Sequence, residues 1–253
     1  MRGAPIGVFD SGMGGLSVLR ALRSEMPHER FIYYGDNANA PYGPRPREEI
    51  EDLALKVARE LCARGAKALV VACNTATAAA IEALRAGLDV PVIGMAPDLE
   101  GARACAGDGP VIVFATQATL SLPLYRDMRS RLCPDAVSIP APELVMMVER
   151  GVLCGPEPEA YFREKLRPWL SRRIGAVVLG CTHFAFLRAP LEAVVPGVAV
   201  LDGVAPVLRR VRDALARADA LCEAGEGSVE VLSSSEDAAV LARMRALLAA
   251  PAR

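Results

Sequence analysis

What the sequence has little of removes several chemistries at once. Histidine occurs only as His28 and His183, which excludes a histidine-rich metal centre, and no aspartate or histidine cluster has the spacing of a metal-ligand set. An excess of charge is missing: 29 Lys and Arg stand against 30 Asp and Glu, a formal net charge of -1. That balance argues against a nucleic-acid partner held by bulk charge. Long hydrophobic runs are missing too, because Arg, Asp, Glu or Pro interrupts each one before it reaches transmembrane length, so no membrane role is expected. Residues Met1 to Gly7 lead directly into a strand and lack the apolar core of a signal peptide, which points to the cytoplasm. The seven cysteines are an odd number and contain no C-x-x-C pair, so free thiols are expected rather than a disulfide framework.

What is present is enough for a large core. The chain has 253 residues, 52% of them hydrophobic, which suits one large or two modest domains. It is organised around the stretch Val70-Val71-Ala72-Cys73-Asn74-Thr75-Ala76, which has an echo in Val177-Val178-Leu179-Gly180-Cys181-Thr182-His183-Phe184. Each is a short apolar run, read as a buried parallel strand, that ends in a cysteine and a hydrogen-bonding residue before a helix-like segment. Open α/β sheets place their ligands at such strand ends. A cysteine closing a valine-rich strand is ordinarily an inert core thiol. Here Asn74, Thr75, Thr182 and His183 add polar side chains that a plain strand end does not need, and helix starts supply N–H groups and positive potential. Surroundings of that kind turn a thiol into a nucleophile or base.

Taken in order, the chain alternates strand and helix, which predicts parallel, doubly wound sheet. Residues 6–9 form a strand that ends in the glycine-rich turn Asp10-Ser11-Gly12-Met13-Gly14-Gly15. The turn fits neither G-x-G-x-x-G nor a P-loop, so as a phosphate signal it is weak. Asp10 and Ser11 suit a helix cap and, at a strand end, a site role equally. After a strand at 31–34, residues 35–44 form a loop rich in turn formers that contains Tyr42, and an amphipathic helix covers 47–64. A helix at 75–85 follows the first cysteine, and a strand lies within 90–95. A second alternation starts near Pro97. It has strands at 111–114 and 136–139, with Thr116 and Thr119 opening a helix. A helix at 143–149 ends in Glu149, and one at 156–172 carries Trp169 as a packing residue. After the second cysteine come a strand at 199–202, a helix at 204–221, a strand at 230–232 and a helix at 236–248.

These motifs together resemble the glutamate racemases. The resemblance rests on Phe9-Asp10-Ser11-Gly12-Met13-Gly14-Gly15-Leu16, Tyr34-Gly35-Asp36, Pro41-Tyr42-Gly43, Ala72-Cys73-Asn74-Thr75-Ala76 and Gly180-Cys181-Thr182-His183-Phe184, in order and spread over nearly the whole chain. It implies an α/β fold of two lobes, each a twisted, mainly parallel sheet flanked by helices, with the active site at the interface between lobes. The first lobe would be residues 1–96 with 207–253, and the second 97–206. It implies interconversion of L- and D-glutamate without a cofactor, a role in supplying D-glutamate for peptidoglycan, and a homodimer. Asn37 and Asn39, and the region after Val229, depart from the family pattern.

By that resemblance Cys73 and Cys181 are the two catalytic bases, Cys73 on the D-glutamate face and Cys181 on the L-glutamate face. Asp10 stands beside Cys73, and Glu149 with His183 beside Cys181. Asp10, Ser11, Pro41, Tyr42, Gly43, Asn74, Thr75, Thr119, Thr182 and His183 line the substrate site. Removing an α-hydrogen without an electron sink needs electrostatic stabilisation of a carbanion-like transition state and a base on each face. Three other readings stay open: a racemase for another acidic amino acid such as aspartate, a non-enzymatic regulatory or binding protein on the same fold, and a cysteine hydrolase using Cys181 and His183. The last leaves Cys73 without a task.

Overall fold

In a computed structural model that describes residues 2–249, the chain divides into two compact units. The first unit runs up to Met95 and resumes at Val204, and the second is Ala96–Gly203.

The first unit begins with β1 (Ile6–Asp10), α1 (Leu16–Glu25), β2 (Arg30–Gly35) and a short 3-10 turn at Asn37–Asn39. Next come α2 (Arg47–Ala63), β3 (Ala68–Val71), α3 (Asn74–Gly87) and β4 (Val92–Gly94). The second unit contains α4 (Leu99–Ala106), β5 (Val111–Ala115), α5 (Gln117–Ser121), α6 (Pro123–Leu132), β6 (Val137–Pro140), α7 (Pro142–Glu149) and α8 (Pro156–Leu166). It continues through β7 (Ala176–Leu179), a 3-10 helix at Thr182–Leu187, α9 (Arg188–Val194) and β8 (Ala199–Asp202). The chain then returns to the first unit with α10 (Val204–Arg217), β9 (Ser228–Ser233) and α11 (Ala238–Ala249).

Both sheets are parallel. Their strand orders are β4-β3-β1-β2-β9 and β6-β5-β7-β8. Every residue of β1, β3, β5 and β7 is buried. This is why those strands read as continuous apolar runs: a parallel sheet is covered on both faces. In the second unit, neighbouring residues of one strand enter different cores. Ile112, Phe114, Val177 and Leu179 pack with Phe162 and Phe184, while Val111, Val113, Ala176 and Val178 pack with Leu99 and Tyr125. The two-residue period of a strand makes that division. Burying each of these side chains contributes about 1.5–3 kcal/mol. The Phe114 and Phe162 rings meet edge to face at 5.5 Å.

In each sheet the strand order reverses after the second strand. From β1 the chain steps to β2 on one side, then to β3 on the other; from β5 it steps to β6, then to β7 on the other side. Each reversal leaves a crevice at the carboxyl ends of the two inner strands, where α/β sheets hold their ligands.

Helices α4 and α6 have no bounds in the sequence reading, and three other elements differ from it in extent or type. The helix expected over 156–172 stops at Leu166, and residues 167–172 continue as turns closed by Trp169 N–H donating to Leu166 O at 2.8 Å and Arg172 N–H to Trp169 O at 2.9 Å. Trp169 packs against the core cluster that contains Phe162. The helix from Val204 ends at Arg217 rather than near Leu221, because Asp219 takes a left-handed conformation with φ 48° and Ala220 N–H bonds back to Leu215 O at 2.9 Å. The segment after Cys181 is a 3-10 helix before it becomes α9.

Candidate functional site

The first cluster sits at the β1/β3 reversal. Asp10 closes β1 and is fully buried; its Oδ1 accepts from Gly12 N–H at 2.7 Å and from the Ser11 hydroxyl at 3.4 Å. Gly12 is fixed from the other side, because the Tyr33 hydroxyl donates to its carbonyl at 2.9 Å. The turn needs glycine at position 15: a Cβ there would lie 2.7 Å from the Asp10 Cβ and 3.0 Å from the Ala72 carbonyl. Cys73 follows β3 and is the N-cap of α3, with extended backbone (φ -144°, ψ 118°). Its sulfur takes the capping position that a hydroxyl or carboxylate usually fills, accepting from Ala76 N–H at 3.4 Å. The Cys73 Sγ also lies 3.7 Å from the Ser11 Oγ, so a path of contacts runs from thiol through hydroxyl to the Asp10 carboxylate.

Asn74 and Thr75, the first residues of α3, are both buried. Neither the oxygen nor the nitrogen of the Asn74 side-chain amide has a partner among the described residues. Buried amides are almost always bonded, which makes this one a candidate substrate contact. In the 35–44 loop, Tyr42 is buried and donates to Asp36 Oδ2 at 2.6 Å, while Asn39 Nδ2 donates to Asp36 Oδ1 at 2.9 Å. Burial and then the Asp36 hydrogen bond push the Tyr42 hydroxyl far above its ordinary value, so it stays protonated. Asp36 N–H in turn donates to the Asp10 carbonyl at 3.0 Å, which ties the loop to the end of β1. Pro41 is exposed and Gly43 half-buried.

The second cluster sits at the β5/β7 reversal, again around a cysteine at a strand end. Cys181 follows β7 as the N-cap of the 3-10 helix, with backbone φ -143° and ψ 140°, close to the angles at Cys73. Its Sγ is 3.8 Å from His183 Nδ1, and His183 Nε2 is 2.8 Å from Glu149 Oε1, at the end of α7. A carboxylate at Nε2 assigns the ring hydrogen to that nitrogen. Nδ1 then faces the sulfur, accepting S–H from the thiol when the ring is neutral, or donating to the thiolate when it is protonated. Thr182 is buried beside them. After β5, Thr116 caps α5 by accepting from Thr119 N–H at 3.2 Å, and the two threonine hydroxyls bond at 2.9 Å.

Within the first unit the structure thus brings Asp10, Ser11 and Cys73 into contact, and within the second Glu149, His183 and Cys181. Asp36 is legible in the sequence only as part of Tyr34-Gly35-Asp36, and Tyr33 carries no unusual local signal: their partners, Tyr42 and Gly12, are fixed only by folding. Thr116 was visible as one of two hydroxyls at a helix start, but its bond to Thr119 was not. Among the described residues no group of three or more His, Cys, Asp and Glu side chains could hold a metal ion.

Residues 15–211 match the family described as Asp/Glu/Hydantoin racemase. The chain is 44% identical over 247 residues to the glutamate racemase of Methylococcus capsulatus, covering 96% of this chain and 91% of that one. Among solved structures it is similar to glutamate racemase from Thermus thermophilus in complex with beta-chloro-D-alanine, at TM-score 0.85 and 38% identity, covering 98% of this chain and 94% of that one. It is similar also to glutamate racemase from Francisella tularensis in complex with D-glutamate, at TM-score 0.85 and 27% identity, covering all of this chain (100%) and 96% of that one. With matches of this extent, the chain belongs to the Asp/Glu/Hydantoin racemase family.

Proposed function

We propose that the protein interconverts L- and D-glutamate by moving protons between the α-carbon and two thiols, Cys73 and Cys181, with no cofactor. The observation that carries the reading is the pair of wired sulfurs. Each sheet ends in a buried thiol whose contacts lead to a carboxylate: Cys73 to Ser11 to Asp10, and Cys181 to His183 to Glu149. A cysteine hydrolase needs one such assembly, whereas a racemase needs two, one for each face of the α-carbon. The relatives named above are glutamate racemases, one of them in complex with D-glutamate, which favours glutamate over other acidic amino acids.

In this mechanism the thiolate on one face removes the α-hydrogen and becomes a thiol, while the thiol on the other face delivers its proton to the carbanionic carbon and becomes a thiolate. The product is the opposite enantiomer, and the two sulfurs have exchanged protonation states. His183, held by Glu149, moves the proton on or off Cys181; Asp10, through the Ser11 hydroxyl, serves the Cys73 side. Charge that develops on the α-carboxylate meets N–H groups at helix starts and the side chains of Asn74, Thr75, Thr119 and Thr182. The unpartnered Asn74 amide offers the substrate one donor and one acceptor site. Tyr42 is a neutral donor already committed to Asp36. Its hydroxyl oxygen keeps acceptor capacity for the substrate ammonium, and Pro41 and Gly43 shape the same loop.

The same reading has the enzyme supply D-glutamate for peptidoglycan. It acts in the cytoplasm, a compartment that keeps thiols reduced, and as a homodimer, which rests on the resemblance alone. Among the described residues no helix is long and apolar enough to cross a membrane. A chiral assay on purified protein, dialysed against EDTA, tests the proposal. Interconversion of L- and D-glutamate is expected, with aspartate far slower. Equal rates on aspartate, or activity that returns only with added metal, would overturn it.

A further inference from the structure

The serine run at the end of β9 has a use that its own strand does not require. β9 is the edge strand beside β2, in parallel register with Ser233 opposite Gly35. Past that register the two chains stay joined. Ser234 N–H donates to Gly35 O at 3.0 Å, and the Ser234 Oγ accepts from Ala38 N–H at 2.9 Å. The Ser233 hydroxyl donates to Asn37 Oδ1 at 2.9 Å while accepting from Ser235 N–H at 3.1 Å. Ser235 faces the other way: its hydroxyl accepts from Asp237 N–H at 3.2 Å, and Asp237 accepts from Ala239 N–H at 2.8 Å at the start of α11. So one serine serves the following helix and two grip residues 37 and 38. A Cβ at Gly35 would lie 2.6 Å from Asn37 Oδ1 and 2.8 Å from Met244 Cε, which shows how closely the loop packs on the C-terminal segment.

The gripped turn is the near side of the loop whose far side carries Tyr42. Asn39, its last residue, donates to Asp36, and Arg45 Nε donates to the Asn39 carbonyl at 2.8 Å. Asp36 therefore receives two arms of one loop, Asn39 and Tyr42, and the orientation of both depends on where residues 37 and 38 are held.

We infer that Ser233 and Ser234 are positioning residues for the substrate loop, holding Asn37 and Ala38 so that Asp36 presents Tyr42 to the substrate. They touch no reacting atom. This rests on the reading that Tyr42 lines the glutamate site.

The test is the double variant Ser233→Ala/Ser234→Ala, read by amide hydrogen exchange at Ala38 and by steady-state kinetics in both directions. The Ala38 amide should exchange faster. KM for L- and D-glutamate should rise together by about 3- to 10-fold, the scale of one or two net hydrogen bonds, with kcat changed less than about twofold. Threonine at both positions keeps the hydroxyls and should restore both readouts. Unchanged exchange at Ala38, faster exchange with unchanged KM, or a loss confined to kcat would each overturn the inference. A wild-type protein inert on glutamate would overturn the functional reading and this one with it. An active wild type whose double variant has a normal KM would overturn this one alone.

Discussion

Cys73 and Cys181 share a backbone conformation and a place at the start of a helix, but different groups stand behind them: a serine hydroxyl and a buried aspartate in one case, an imidazole held by a half-buried glutamate in the other. This difference predicts unequal behaviour. His183→Asn and Asp10→Asn should each lower kcat by about 10²-fold or more, the scale of a lost general acid or base, and by different factors in the two reaction directions. Because the equilibrium constant between enantiomers is unity, kcat/KM must fall equally both ways, so KM must absorb the difference. Progress curves from each enantiomer, with circular dichroism to confirm folding, check this. Tyr42 supplies a pH prediction. Its folded value is raised by burial and by Asp36, so its contribution is fully present below the ordinary tyrosine value of about 10 and is lost as pH rises above it. Tyr34, Tyr125 and Tyr161 are also raised, chiefly by burial, and add to the same alkaline loss. Tyr42→Phe should lower stability near neutrality by about 1–3 kcal/mol, because Asp36 loses a donor, and should make the decline above pH 10 shallower. Thermal midpoints across pH 7–11 test both.

At the scale of elements, the end of the first sheet away from the site is closed by one buried ion pair. Lys67 Nζ spends its three hydrogens on Glu29 Oε2 at 2.6 Å, Arg2 O at 2.6 Å and Ala220 O at 2.7 Å, and Glu29 Oε1 accepts from Cys222 N–H at 2.8 Å. The pair thus joins the start of β1, the entries to β2 and β3, and the stretch between α10 and β9. Lys67→Met should destabilise the protein by about 3–5 kcal/mol, since Glu29 is left charged and buried. Lys67→Met/Glu29→Gln should recover part of that loss, because Gln keeps an acceptor for Cys222 N–H without the charge. Urea midpoints decide between this account and one in which the pair is dispensable. Elements of both sheets were legible where local pattern determines them: apolar runs gave β1, β3, β5 and β7, and the apolar positions Ile50, Leu53, Leu55, Val57, Leu61 and Cys62 gave α2. Helix ends were less legible. Amphipathic spacing continues past Leu166 into a segment that Pro168 and tight turns occupy. An aspartate, not a glycine, takes the left-handed position after α10.

At the scale of the molecule, one device occurs twice: a parallel sheet reverses its strand order, and at the reversal a cysteine occupies the N-cap position of the next helix. That repetition was readable as the echo between residues 70–76 and 177–184, because both the strand and its cysteine are local features. What stood behind each sulfur was less readable. His183 lies two residues from Cys181, but Glu149 reaches it across 34 positions, and Ser233 reaches Asn37 across 196. Contacts of that separation leave no periodic trace and come only from the packing of whole elements. The functional account makes both thiols act on one α-carbon, each with its own proton, so the acid that returns a proton is never the base that removed one. Racemisation started from L-glutamate in D2O and followed by proton NMR at low conversion tests this most directly. The account predicts that the D-glutamate formed carries deuterium at the α-carbon while the unreacted L-glutamate keeps its protium, and the mirror result from D-glutamate. D-glutamate formed with its original protium would contradict it, because one base would then be serving both faces.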